Sequence, residues 1–455
     1  MAVQRRRIAW THALALGAFL QSCQSPSADA PMTAPNSVPT FARGATGPTV
    51  SAANPASARQ GTVTLDVQIS GSGFDQGSQA SWQLNGVTYS KIAVNSTKFV
   101  SSTSLTANIT VAVDAAPVNY DIAVTTSTGK KGIGAELFTV TYAVAIPGMT
   151  EGRAINDAGQ IAGYDGTAIV LSDPSLGIVT VAAGGEAWDI DRNGGTIGGK
   201  DADGDPAIWS SSTGPAGPWT AMKLPSLGAG GTTRGLASDA AGNAVMIAGA
   251  TLTPGGGRRK PTVWARTATN WQASYLTLPN GVTSAWGQAV NPRGQVAGMD
   301  GSGCCSAIYW DSLGVPTVLH ALGSASNASA WSINADGTVI VGGSGTTAVF
   351  WWRTLNGGVY GAWNGAIALE NTGSFCGKGA SSIANDINAA GTVVVGQSCG
   401  IAVAWRLSGG TVTSRTVLQG LGPPNQSVAI DINDLAAPQA TGTAKGTTGV
   451  LFRSF

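Results

Sequence analysis

The residues of this chain that could do chemistry are few, and most fall at repeating positions. Histidine occurs only as His12 and His320, which leaves no Ser-His-Asp triad of repeat-matched geometry and no site built from several imidazole ligands. His320 is expected on the surface of an outer strand. Carboxylates are more plentiful: Asp189, Asp191, Asp386 and Asp431 recur within one repeated phrase, so a structural repeat explains them before catalysis does. A carboxylate pair acting as acid and nucleophile on a polysaccharide is the enzymatic alternative they leave open. Asp201-Ala202-Asp203-Gly204-Asp205 alternates carboxylates, as at the start of a calcium loop whose hard oxygen ligands converge on one cation. Ser212 stands where a twelve-residue calcium loop carries its bidentate glutamate, and a hairpin turn explains the string equally well. Calcium at Asp201, Asp203 and Asp205 is therefore the only cofactor the sequence suggests.

Sulfur and aromatic residues are placed by the same phrase. Cys376 and Cys399 flank its sixth copy and are expected to close a disulfide loop worth about 3 kcal/mol. Cys304 and Cys305 follow the fourth copy, which does not adjoin the sixth; a vicinal disulfide or two thiols remain open for them, and the separation argues against a four-cysteine zinc site. Trp209, Trp264, Trp310, Trp351 and Trp405 recur at matched places, as expected of packing between repeats. Trp188, Trp286 and Trp331 instead precede the phrase near strand starts. If those starts face one end of a central channel, the three form an aromatic rim suited to a glycan or peptide; core packing is the plainer reading.

The phrase itself is an apolar residue followed by Asn or Asp, a glycine three or four residues on, and an apolar run closed by glycine, usually with a tryptophan after it. Its central apolar residues are Ile155, Ile190, Leu236, Val290, Ile333, Ile387 and Ile432, separated by 35, 46, 54, 43, 54 and 45 residues. A mean near 46 is the period of a four-stranded propeller blade. Between phrases lie short runs such as Val339-Ile340-Val341 and Ile401-Ala402-Val403-Ala404-Trp405, bounded by Gly, Ser, Thr, Asn and Asp. Runs rich in β-branched and aromatic side chains between turn formers read as strands, and no helical stripe follows the leader. The expected fold is all-β.

Composition agrees with this and excludes some partners. The 455 residues are 43% hydrophobic with 14 Trp, enough for a large core, and 64 glycines suit many tight turns. Removal of the first 22 residues leaves 22 basic against 24 acidic side chains and a net charge of −2. A near-neutral chain without a basic cluster is not expected to bind nucleic acid.

The first residues are expected to be a targeting segment. Arg5-Arg6-Arg7 precedes a largely apolar stretch from Ile8 to Leu20, too short to span a bilayer, and then Leu20-Gln21-Ser22-Cys23. This resembles a bacterial lipoprotein signal with its lipobox. The resemblance implies removal of residues 1–22, lipidation of Cys23 and a membrane contact through that lipid, with Gln24 pointing to the outer membrane or cell surface. Residues 23–47, rich in Ser, Pro, Ala and Thr, would be a flexible tether.

Residues 48–140 lack the phrase. Val63 to Ile69 alternates with period two, Gly71-Ser72-Gly73-Phe74 follows, and further strands are expected at Ala80 to Leu84, Leu105 to Val111 and Tyr120 to Thr125. With its Tyr120 to Gly129 strand and hairpin, the segment resembles an IPT/TIG-type immunoglobulin-like domain, which implies a β-sandwich used as a spacer, adhesion or docking element.

Residues 141–455 hold the seven phrases. The last repeat supplies three strands, and the orphan strand Thr141 to Ile146 is expected to complete its sheet and close the ring, since unpaired edges invite aggregation. Ile155-Asn156 with Gly159 and Gly163, Val290-Asn291 with Gly294 and Gly298, and Ile387-Asn388 with Gly391 and Gly396 carry the clearest copies. They resemble the HAF-type extracellular repeat of bacterial envelope proteins. That resemblance implies a secreted or surface β-propeller without an established activity; the seven phrases make it a seven-bladed β-propeller, or six-bladed if the weak Leu236 copy is an insertion. The expected whole is a lipid-anchored envelope protein whose propeller binds protein or polysaccharide, with a polysaccharide lyase or glycoside hydrolase as the alternative.

Overall fold

The computed structural model describes residues 47–455 apart from 113–114, 256, 302–305, 371–380, 419–420, 422–425 and 454. The leader, Cys23 and most of the tether lie outside the described residues, as do Cys304, Cys305 and Cys376. The described chain is all-β.

Residues 49–141 form two sheets around one apolar core. Thr49–Asn54, Leu65–Ser72, Ser104–Val111 and Ile92–Ser101 make the first, in that spatial order; Ser57–Arg59, Lys131–Thr141, Asn119–Thr125, Gln79–Leu84 and Val87–Thr88 make the second. Alternation along Ser104–Val111 buries Leu105, Ala107, Ile109 and Val111 completely or nearly so, as period-two strands with one buried face require. Trp82 meets Phe138 edge to face at 5.5 Å inside this core.

The phrase region folds into seven four-stranded antiparallel sheets. Their first strands are Glu151–Ile155, Glu186–Ile190, Gly231–Ser238, Ala285–Val290, Ala328–Ile333, Ser382–Ile387 and Ser427–Ile432. Each first strand touches the next, and the seventh returns to the first, so these strands surround a central channel as in a β-propeller. Closure is by strand exchange: Ala143–Ala145 pairs antiparallel with Thr448–Phe452, completing the sheet that holds Ser427–Ile432. Thr141 belongs instead to the preceding sandwich strand, where it pairs with Arg59. A single residue, Tyr142, separates the two strands.

The conserved-looking parts of the phrase hold this ring together. Asn156 and Asn291 accept backbone N–H bonds from their own turns, as Gln160 and Gln295 donate to them at 3.0 Å each. Their amides then donate to the backbone of the next sheet, Asn156 to the Asp191 carbonyl and Asn291 to the Asn334 carbonyl. The turn glycines Gly159 and Gly294 are left-handed, the conformation glycine adopts without steric cost. On the third strands, Trp264, Trp310 and Trp351 are fully buried and donate their indole N–H to carbonyls of the preceding sheet's last segment, at 2.7 to 2.8 Å. In the third sheet the strand runs on, and Asp239 takes over the turn that Asn makes elsewhere. This is why its phrase looks degenerate in sequence.

Candidate functional site

Every first strand carries a β-bulge at the same place, two residues before the central apolar residue. The ladder skips Arg153, Trp188, Arg234, Gln288, Trp331, Asn385 and Ile430. A bulge places an extra residue on one strand and re-aims its side chain; here all seven line the central cavity of about 580 Å³. The bulge also explains the glycine that closes the apolar run. A Cβ at Gly163, Gly199, Gly249, Gly298, Gly342, Gly396 or Gly442 would overlap a carbonyl oxygen of the bulged strand, from Glu151, Glu186, Thr232, Trp286, Ser329, Ile383 and Val428 respectively. So a repeated glycine permits a repeated bulge, and the bulge presents a residue whose type changes from sheet to sheet.

Arginine and tryptophan alternate around one side of the mouth. Trp188 lies between Arg153 of the preceding sheet, 4.1 Å from its ring centroid, and Arg234 of the following sheet, at 3.7 Å. Arg234 also reaches Trp286, at 5.4 Å, whose ring is closer to Arg259, at 4.1 Å. Cation–π contact of this kind contributes about 0.5–2 kcal/mol per pair. Burial, and next the neighbouring Arg153, lower the Arg234 guanidinium to about 10. Arg234 Nε and the indole nitrogens of Trp188 and Trp331 have no hydrogen-bond partner among the described residues.

One residue further along the strands sits a set of carboxyls. Asp189, Asp386 and Asp431 accept the backbone N–H of Leu236, Ile432 and Ile155, at 2.6, 3.0 and 2.6 Å, each from the next sheet around the ring. The last of these ties the seventh sheet to the first. Burial is the largest influence on all three and raises them; Asp189 is pushed up to about 7 against the opposing pull of its backbone bonds. Asp386 and Asp431 are hydrogen-bonded to each other, and Asp431 is raised well above the usual carboxylate range. At the opposite end of the strands Arg192 sits 3.7 Å from Asp157 and 3.6 Å from Asp434.

The remaining expected site residues are distributed as follows. Trp188 and Trp331 line the cavity at bulge positions, while Trp286 is two residues nearer the strand start, at the end of the arginine ladder. The faces of Trp188 are taken by guanidinium groups, so this tryptophan is a scaffold for cations. Asp201, Asp203 and Asp205 do converge, but on the Lys223 ammonium, at 3.2, 2.8 and 2.9 Å. A covalently attached cation thus stands at the focus of the carboxylates where calcium was expected, and their hydrogen bonds raise the Lys223 ammonium. Cys399 is disulfide-bonded; its expected partner Cys376 lies outside the described residues. His320 is exposed, and its carbonyl receives the Trp351 indole. Arg153, Arg234 and Lys223 were missed by residue type alone. Aligning the phrases and reading two residues back from each central apolar residue would have found the two arginines.

No protein-family model matches the chain, and no curated protein matches it. Among solved structures, the chain is similar to the Cps50 (Swd1) β-propeller domain of Myceliophteria thermophila, at 9% identity and TM-score 0.31, covering 74% of this chain and 92% of that one. It is also similar to apo AztD from Citrobacter koseri, at 10% identity and TM-score 0.33, covering 79% of this chain and 86% of that one.

Proposed function

We propose that the chain is a lipid-anchored bacterial envelope protein, in which an immunoglobulin-like spacer carries a seven-bladed propeller that binds a protein or polysaccharide at the strand-start mouth of its channel. The observation that carries the binding reading is the division of labour within the phrase. Asn, Gly and Trp repeat because they hold sheets together; the bulge position carries five residue types in seven copies and faces the cavity in every one. Side chains that vary on a constant frame are how one fold is fitted to a particular ligand. The spacer reading is supported by Tyr120, whose hydroxyl donates to the Ala116 carbonyl at 2.5 Å, as the tyrosine of immunoglobulin-like corners does.

Two measurements test this reading. The full-length chain, screened against a glycan panel with reducing ends followed in parallel, should retain at least one glycan without releasing ends. Turnover would replace the binding reading with the lyase or hydrolase alternative. Cys23→Ser should move the protein from the membrane to the soluble fraction of the producing cell, because lipidation of that cysteine is the only anchor proposed. Sedimentation with membranes despite the substitution would contradict the anchor.

A further inference from the structure

The mouth of the channel is chemically lopsided. Its first three sheets supply Arg153, Arg234 and Arg259, held in place by Trp188 and Trp286. Arg153 pairs with Glu151 at 2.8 Å; Glu186 pairs with Lys200 at 3.1 Å and attracts Arg234 only at longer range. Among the described residues no carboxylate forms an ion pair with Arg234 or Arg259. A partly buried cation without an anion is costly, because neither water nor a partner restores what burial removes. The other side is neutral, with Gln288, the Trp331 indole N–H and Asn385, whose amide donates to the Ala429 carbonyl at 2.8 Å.

We propose that this mouth binds a carboxylated sugar of a uronate-bearing polysaccharide, its carboxylate taken by Arg234 with Arg153 and Arg259 beside it and its hydroxyls by Gln288 and Asn385. The proposal rests on the binding reading above and specifies its ligand. A guanidinium stacked flat on an indole keeps its N–H edge free, and that edge matches a carboxylate bidentately. The unpartnered groups are donors: Arg234 Nε and the Trp188 and Trp331 indoles. A peptide would bring backbone N–H groups as well, and those would meet donors rather than acceptors. The volume, about 580 Å³, lies within the range of pockets that enclose small ligands or the end of a chain.

Isothermal titration of the full-length chain in detergent with trimers of galacturonate and of mannuronate, their methyl esters and hexaglutamate tests the proposal. At least one acid trimer should bind, more weakly as salt rises, and its ester and hexaglutamate should bind about tenfold or more weakly than the acid. Arg234→Gln should weaken the acid by a similar factor while leaving the far-ultraviolet spectrum and melting temperature near the parent's, and Arg234→Lys should recover part of the loss. If Arg234→Gln fails to fold, Arg259→Gln, at the outer end of the ladder, should weaken the acid several-fold. An ester that binds as tightly as its acid overturns the carboxylate assignment while leaving a glycan-binding mouth intact. Tighter binding of hexaglutamate makes the mouth a peptide site, and failure of every probe overturns both this inference and the binding reading at this mouth.

Discussion

Gly298→Ala is expected to destabilise the ring by about 3 kcal/mol or more, whereas Gly365→Ala should be nearly neutral. The Cβ of an alanine at 298 would overlap the Trp286 carbonyl oxygen and press on the Trp310 ring, while at 365 it meets nothing within 4 Å. Backbone cannot step aside here without changing the register that pairs Gly287 with Gly298 and Ala289 with Ala297. Relief would require loss of the bulge, which would turn Gln288 away from the channel. Equilibrium denaturation of both variants checks the result. Equal stabilities would mean that the repeated glycine is not what accommodates the bulge.

Stability is expected to fall as pH rises from about 4 to about 7, and Asp386→Asn to flatten that fall. The channel carboxyls have raised values in the folded chain, so their contribution is fully present below the ordinary carboxylate range and is lost as pH rises through the folded values. For Asp189 the rise from 3.8 to about 7 corresponds to roughly 4 kcal/mol at most, lessened by water that reaches the side chain from the channel. Asp386 and Asp431 add to the same slope, because their mutual hydrogen bond holds a proton that alkaline solution removes. An asparagine at 386 keeps an oxygen for the Ile432 N–H and offers Asp431 an N–H in place of the shared proton. Asp173 acts in another window: burial opposes its ionisation, but hydrogen bonds from Ser175 and Gln160 prevail and hold it at about 2, so its contribution is lost only in stronger acid. Melting temperatures of parent and variant from pH 4 to 9 decide the matter. A variant profile parallel to the parent's would remove the carboxyl pair as the cause.

The ring was legible in the sequence because its fastenings repeat. Asn156 and Asn291 show as letters at a fixed place, and each makes a turn and an inter-sheet bond that the letter suggests. Trp310 and Trp351 were likewise readable as packing residues. The mouth was harder to read. Arg153, Trp188, Arg234 and Gln288 share a register position, yet their types change from one sheet to the next, and a bulge leaves no mark in composition or period. The asymmetry between Trp188 and Trp286, two residues apart in register, was hidden for the same reason. Lys223 lies on the fourth strand of its sheet, eighteen residues beyond Asp205, and only strand pairing brings it to the acidic string.

If repeated Asn, Gly and Trp hold the ring while the bulge residues bind the ligand, the two sets of residues should separate in experiment. Single substitutions Trp188→Ala, Arg234→Ala, Gln288→Ala and Asn385→Ala, each read for melting temperature and for retention on immobilised uronate oligomers, test it most directly. The account predicts that retention drops while melting temperatures stay close to the parent's, above that of Gly298→Ala. Melting temperatures that fall as far as for Gly298→Ala, with retention per folded molecule unchanged, would contradict it.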